Sequence, residues 1–277
     1  MSGDAFIIDQ GWSSYTAEEH QTWKRLYERQ RALLPGRACD ELIQGMDDLD
    51  IGAEGIPNFD DLNEKLSKTT GWEVVAVPGL IPDEPFFELL SRKKFPAGNF
   101  IRKPHQLDYI EEPDVFHDVF GHVPLLNNQV YADHMQAYGF GGLRAKDHGT
   151  VKNLARLYWY TIEFGLMNTK NGLRIYGAGI VSSPGETIFA LDDPSPNRLQ
   201  FDVMRIMQTD YIIDDYQQIY FALDSFEQLY KETDIDFEPL YKQLKAENKT
   251  YQVDALAKTD VIITRGTQAY AKAKKTA

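Results

Sequence analysis

Pro113-Asp-Val-Phe-His-Asp-Val-Phe-Gly-His-Val-Pro124 is the stretch on which the reading of this chain turns. It carries two of the six histidines, His117 and His122, five residues apart. On a straight α-helix such residues point about 140° apart, too far to share one ion. Gly121 precedes His122 and Pro124 follows it, an order that marks a helix end. The pattern predicts His117 in the last turn of a helix and His122 just past it, with the bend turning both imidazoles toward one point.

Two histidines do not make a metal site, and a lone histidine is more often a packed or surface residue. A third ligand has to come from elsewhere. Glu163 is the candidate, set in Asn153-Leu-Ala-Arg-Leu-Tyr-Trp-Tyr-Thr-Ile-Glu-Phe-Gly-Leu166, which is almost wholly apolar from Leu157 onward. Burying a carboxylate there is costly unless it meets a cation. A metal answers that need; so does a salt bridge to Arg156 or Arg174, and spacing alone leaves the two even. Two imidazoles and one carboxylate leave up to three adjacent positions free, which suits non-haem Fe(II) handling O2 and a second substrate. A zinc hydrolase is the rival. Yet the spacing is not H-E-x-x-H, and the neighbour of His117 is Asp118 rather than a glutamate base. A metal-stabilised binding protein without turnover is a third reading.

Three blocks, Pro113–Leu126, Tyr158–Leu166 and Tyr176-Gly-Ala-Gly-Ile-Val-Ser-Ser-Pro-Gly-Glu186, resemble the tetrahydropterin-dependent aromatic amino acid hydroxylases. The resemblance runs from about Trp12 to about Tyr230 with the motifs in order, and is strongest to the short bacterial form acting on phenylalanine. It implies a single mainly α catalytic domain over 1–277, a basket of helices with short antiparallel strands and hairpins around iron. It also implies hydroxylation of L-phenylalanine to L-tyrosine with O2, as in phenylalanine catabolism. Fe(II) and a tetrahydropterin co-substrate, supplying two electrons, are the implied cofactors, with a link to pterin-recycling enzymes. Tryptophan hydroxylation and phenylalanine 3-hydroxylation are alternatives within the family.

The family motifs assign roles residue by residue. His117, His122 and Glu163 hold the iron. Gly79, Leu80 and Ile81, in the loop after Val77, face the pterin edge, and Phe86 stacks on its ring. Asp118 stands where the family often has a glutamate that reaches the pterin through water, and Asp83 replaces a serine of the pterin loop. Arg102 takes the substrate carboxylate with Asp114 behind it. Gly179 and Ser182 line the pocket, and Trp159 with Pro113 forms a wall for the aromatic ring. Glu186 is expected to accept from His122 and fix its tautomer.

Composition bounds the partners. The chain has 277 residues and a formal net charge of −13. That charge argues against nucleic acid and against an anionic membrane surface. Cys39 is the single cysteine, so no internal disulfide forms, in keeping with a reducing cytoplasm. No run approaches 18 apolar residues, and the opening Met-Ser-Gly-Asp lacks a basic leader. No regulatory domain and no coiled-coil heptads are read, so a monomer or dimer is expected.

Periodicity places the elements. Thr16 and Glu19 form a capping box for a helix running to Pro35, whose aromatic residues read as core. Further helices are expected over Ala38–Met46, Phe59–Lys68, Asp83–Arg92, Gln129–Ala137, Val151–Gly165, Pro184–Leu191, Asp202–Thr209, Asp224–Lys231 and Phe237–Asn248. Gly139, Gly141 and Gly142 are expected to loosen the end of the helix that begins at Gln129. Strands are expected at Trp72–Val77, Phe100–Arg102, Gln218–Leu223 and Thr259–Thr264, with a hairpin at Lys170-Asn-Gly172. No β–α alternation suggests a parallel sheet. Residues from about 260 onward read as a frayed basic helix or flexible tail.

Overall fold

The computed structural model describes residues 2–234 and 237–276. The first long helix, Ala17–Leu33, starts on the expected reciprocal cap: Thr16 Oγ1 accepts from the Glu19 N–H, and the Glu19 carboxylate accepts from the Thr16 N–H. Its inner face lays Trp23 edge-on against Phe116 and Tyr27 edge-on against Phe120, at 5.3 and 5.7 Å between ring centroids. Buried Gln30 donates to Val181 O and Thr187 Oγ1. This helix therefore braces two of the three quoted blocks from behind, and its aromatic residues are core, as read.

Helices dominate the chain. Asn128 caps Gln129–His148 by accepting from the Tyr131 N–H, and Gly149, at φ 65°, ends it. The helix does not loosen near Ala137. Its glycines are points of close approach to the helix Asp83–Ser91: a Cβ at Gly139 would lie 2.4 Å from Ser91 N, and one at Gly142 2.2 Å from Phe87 Cδ1. That contact fixes where Phe86 and Phe87 stand.

The strands are short, and most of them pair in parallel, contrary to the antiparallel expectation. β1 (Glu73–Val77) and β2 (Lys94–Gly98) form a parallel pair joined through the helix Asp83–Ser91. β2 replaces the strand expected at Phe100–Arg102. Pro96 at its centre hid it, since proline belongs only to edge strands, which both members of a two-stranded sheet are. β3 (Leu166–Thr169) and β4 (Gly172–Ile175) make the expected hairpin. With β5 (Asn197–Gln200), β6 (Ile219–Leu223) and β7 (Ile262–Thr264) they form a sheet in the order β4-β3-β6-β5-β7. β6 pairs in parallel with both β3 and β5, and β7 is antiparallel to β5. The crossover between β5 and β6 holds only the five-residue helix Val203–Met207, too short to show as β–α alternation. At the C-terminal end the helix Ala269–Thr276 follows β7. Its Tyr270 donates to Asp215 and lies 5.3 Å from Phe189. Ala277, the last residue of the expected tail, lies outside the described residues.

Candidate active site

The histidine stretch does not end a helix. Phe116–His122 is one continuous π-helical segment that runs directly into the α-helical turn Val123–Leu126. The objection to a five-residue spacing assumed α winding. In a π-helix residue i bonds to i+5, which stacks His122 over His117 on one face. The bend inferred from Gly121 and Pro124 is therefore corrected: a widened turn, not a helix end, brings the imidazoles together. Gly121 serves packing, since a Cβ there would lie 2.9 Å from that of Ala178.

Glu163 is delivered in the same way. The helix Val151–Tyr158 widens into a second π-helical segment, Trp159–Glu163, closed by the Phe164 N–H donating to Trp159 O at 2.8 Å. Its carboxylate lies 3.1 Å from His122 Nε2 and 3.5 Å from His117 Nε2, and the two Nε2 atoms are 3.2 Å apart. The arginines of the salt-bridge reading are elsewhere. Arg156 pairs with Asp210, and Arg174 donates to Leu173 O. Among the described residues this trio is the one group of three or more His, Cys, Asp or Glu side chains placed to hold a metal.

The donor set fits an ion. Ligand atoms about 2.1 Å from one metal and at right angles lie about 3 Å apart, close to the separations seen here. Burial pushes His117 down to about 4, so its imidazole is neutral. Burial alone would raise the Glu163 carboxyl, but the His122 imidazole beside it, itself raised by that carboxylate against its own burial, outweighs this and holds Glu163 low. His117 Nδ1 is 2.9 Å from Ser182 Oγ, whose own hydroxyl donates to Ala178 O. That relay places the His117 proton on Nδ1 and leaves Nε2 as an electron-pair donor.

Glu186 does not meet His122, contrary to the sequence expectation. It accepts from Tyr220 Oη and, at 3.4 Å, from the Gln217 N–H, and burial pushes it up to about 7. His122 Nδ1 has no protein partner. The orienting contact exists, but it runs from Ser182 to His117.

Asp114, Ser182 and Gly179 connect directly to this trio, Arg102 through Asp114 and Phe86 through Tyr158. Arg102 is buried and grips Asp114 through Nε and Nη2, each at 2.8 Å, while Asp114 Oδ1 also accepts from the His117 N–H. Asp114 thus ties the arginine to the first turn of the histidine segment. Pro113 precedes it on the same strand of chain. Asp118 accepts from the Gly98 N–H at 2.8 Å, and burial pushes it up to about 7. Phe86 lies edge-on to Tyr158, 5.7 Å away, and Tyr158 is 6.2 Å from the His122 ring. Gly79, Leu80 and Ile81 follow β1, and Leu80 is exposed. Gly179 sits in the short helix Ala178–Val181, where its backbone N–H helps hold Glu163 ionised. Trp159 stacks between Phe164 and Tyr211.

Sequence reasoning missed Glu112, which accepts from the Leu80 N–H at 3.2 Å and so tethers the exposed loop to the segment before Pro113. It also missed Gln217, which is remote from the ligands in sequence, and Tyr158, whose five-residue spacing from Glu163 carries a signal only under π winding.

The chain belongs to the biopterin-dependent aromatic amino acid hydroxylases, whose family profile matches residues 11–273. Within that family it is 60% identical to the phenylalanine-4-hydroxylase of Caulobacter vibrioides over 97% of this chain and 91% of the relative. It is 54% identical to that of Chromobacterium violaceum over 96% and 90%. The crystal structure of the Chromobacterium violaceum enzyme with iron and phenylalanine bound superposes with a TM-score of 0.89 at 54% identity, covering 93% of this chain and 94% of that one. A structure of that enzyme with iron(III) and oxidised 7,8-dihydrobiopterin gives 0.89 at 55%, covering 93% of each.

Proposed function

We propose that this chain is a phenylalanine 4-monooxygenase, converting L-phenylalanine to L-tyrosine with O2, Fe(II) and a tetrahydropterin. The observation that carries the reading is the His117, His122 and Glu163 trio set beside the buried Arg102–Asp114 pair. When bound, the iron and the pterin supply O2 activation and two electrons.

The chain's own residues do the rest. His117, His122 and Glu163 take one face of the ion and leave the opposite positions to reactants. Arg102 gives Nε and Nη2 to Asp114, so Nη1 is left for the substrate carboxylate. Trp159, Pro113, Gly179 and Ser182 border the ring and the amino acid backbone. Gly79, Leu80 and Ile81 offer backbone groups to the pterin edge, Phe86 a ring face, and Asp118 a carboxyl at the opposite side. Apolar walls from Phe86, Phe95 and Tyr158 keep water from the reacting centre.

The helices are read as a basket around the iron, in a single catalytic domain. No helix among the described residues is long and apolar enough to cross a membrane. The lone cysteine, Cys39, is buried and free, which supports a cytoplasmic enzyme, monomeric or dimeric, supplied by pterin-recycling enzymes. The test is anaerobic reconstitution with Fe(II), followed by phenylalanine, O2 and a tetrahydropterin, with the product separated by chromatography. 4-Hydroxyphenylalanine is expected. No hydroxylated product, or a ring hydroxylated at C3, would refute the assignment.

A further inference from the structure

We infer that Gln217 is a positioning residue for the aromatic ring of the substrate, acting through Trp159; the inference rests on the reading of Trp159 as the pocket wall. The indole is held between two rings, Tyr211 at 4.3 Å and 17° and Phe164 at 4.7 Å and 29°. Stacking blocks tilt but tolerates slip in the ring plane, since offset arrangements are favourable. In-plane position needs a directional contact. It comes from Trp159 Nε1, which donates to Gln217 Oε1 at 3.1 Å.

Gln217 is suited to this because it has no freedom of its own. It is 1% exposed. Its Oε1 also accepts from the Ile212 N–H at 3.3 Å, and its Nε2 donates to Ile212 O and, at 3.2 Å, to Asp215 O. Its backbone N–H is tied to Glu186 Oε1. One carboxamide therefore locks the indole to the segment that supplies Tyr211. Trp159 opens the π-helical turn that ends at Glu163, so an indole fixed in its plane holds the wall at a set distance from the metal-binding carboxylate. Displacement of a positioning wall by about 1 Å costs up to about a hundredfold in rate.

The test is a double-mutant cycle on the iron-loaded enzyme, with Gln217→Leu and Gln217→Asn each made in the parent and in a Trp159→Phe background. In the parent, each is expected to raise KM for phenylalanine about tenfold, the scale of one lost hydrogen bond. KM for the pterin stays unchanged, and less tyrosine forms per pterin oxidised. In the Trp159→Phe background, which has no indole N–H to hold, the same changes are expected to do nothing further. Equal losses in both backgrounds would show that Gln217 only braces the 211–217 segment, and would overturn the inference; so would an unchanged KM in the parent. Gln217→Asn keeps a buried amide and covers failure of the Leu variant to fold. A second readout needs no turnover: Trp159 emission, isolated as the difference between each protein and its Trp159→Phe partner. A shifted emission on Gln217→Leu supports the contact, and an unshifted one overturns it. If the parent makes no tyrosine while the emission shifts, the functional reading fails and the contact stands.

Discussion

Ser182 Oγ lies 2.9 Å from His117 Nδ1 and donates its own hydrogen bond to Ala178 O. A hydroxyl so engaged accepts from the imidazole, which fixes the tautomer that donates through Nε2. Contacts of this kind are worth about 10–100-fold in metal affinity. Ser182→Ala is therefore expected to lose Fe(II) affinity on that scale, read by competition with a chelator, while the thermal unfolding of the metal-free protein changes little. An unchanged affinity would mean that the His117 ring is held by packing alone.

Arg102 and Asp114 form a buried pair, with side chains 5% and 0% exposed. Removing one partner of such a pair costs about 3–5 kcal/mol. Arg102→Ala should therefore lower Tm steeply and confuse folding with binding. Arg102→Lys keeps the charge for Asp114 but loses the planar fork. The Lys variant is expected to stay folded at 25 °C, with KM for phenylalanine raised by about tenfold or more and KM for pterin unmoved. Parent-like phenylalanine kinetics in Arg102→Lys would remove Arg102 from the substrate site.

Glu186 titrates at about 7, well above its ordinary value of 4.5, chiefly through burial. Its folded state then binds a proton more tightly than the unfolded chain. Stability from this group is complete below pH ~4.5 and declines as pH rises from there through about 7. Glu186→Gln keeps an acceptor for Tyr220 and removes the titration. Its Tm is expected to fall less than the parent's between pH 5 and 7.5, and to exceed the parent's at pH 8 by about 5 °C. Parallel Tm–pH curves would show that Glu186 is ionised in the folded protein at neutral pH.

Gly139 sits inside a helix, where alanine is intrinsically better by about 1 kcal/mol. Here the sign should reverse. The added Cβ would meet Ser91 N at 2.4 Å, a backbone atom that cannot swing aside. Overpacking of this kind costs about 1–3 kcal/mol. Gly139→Ala is expected to lower the denaturation midpoint, whereas Gly149→Ala, at a helix end with open space around it, should suffer only from its φ of 65°.

Two close histidines and a carboxylate in an apolar helix call for a cation, but their spacing left a salt bridge to Arg156 or Arg174 equally open; the resemblance of the motif blocks singled out this trio, and the structure brings its three side chains together. Their geometry was not legible. Nothing in Phe116–His122 or Trp159–Glu163 announces a π turn, because such turns are rare and α winding is the expectation for any helical run. The same limit applies to the sheet. β2 carries Pro96 and β5 is four residues long, so neither shows a strand period, and their parallel pairing emerges only from packing. Glu186 was misassigned because its motif gives neighbours in sequence. Its partners, Tyr220 and Gln217, come from β6 and the loop before it.

Each widened turn holds one more residue than ordinary winding would use. Winding either stretch as an ordinary α-helix with every residue kept would turn everything beyond it by about 100°. Every ligand would still be present in the sequence, yet His122 or Glu163 would face away from its companions. The centre is thus specified by winding as well as by chemistry. A relative that kept all three side chains on uninterrupted α-helices of the same length would lack the site.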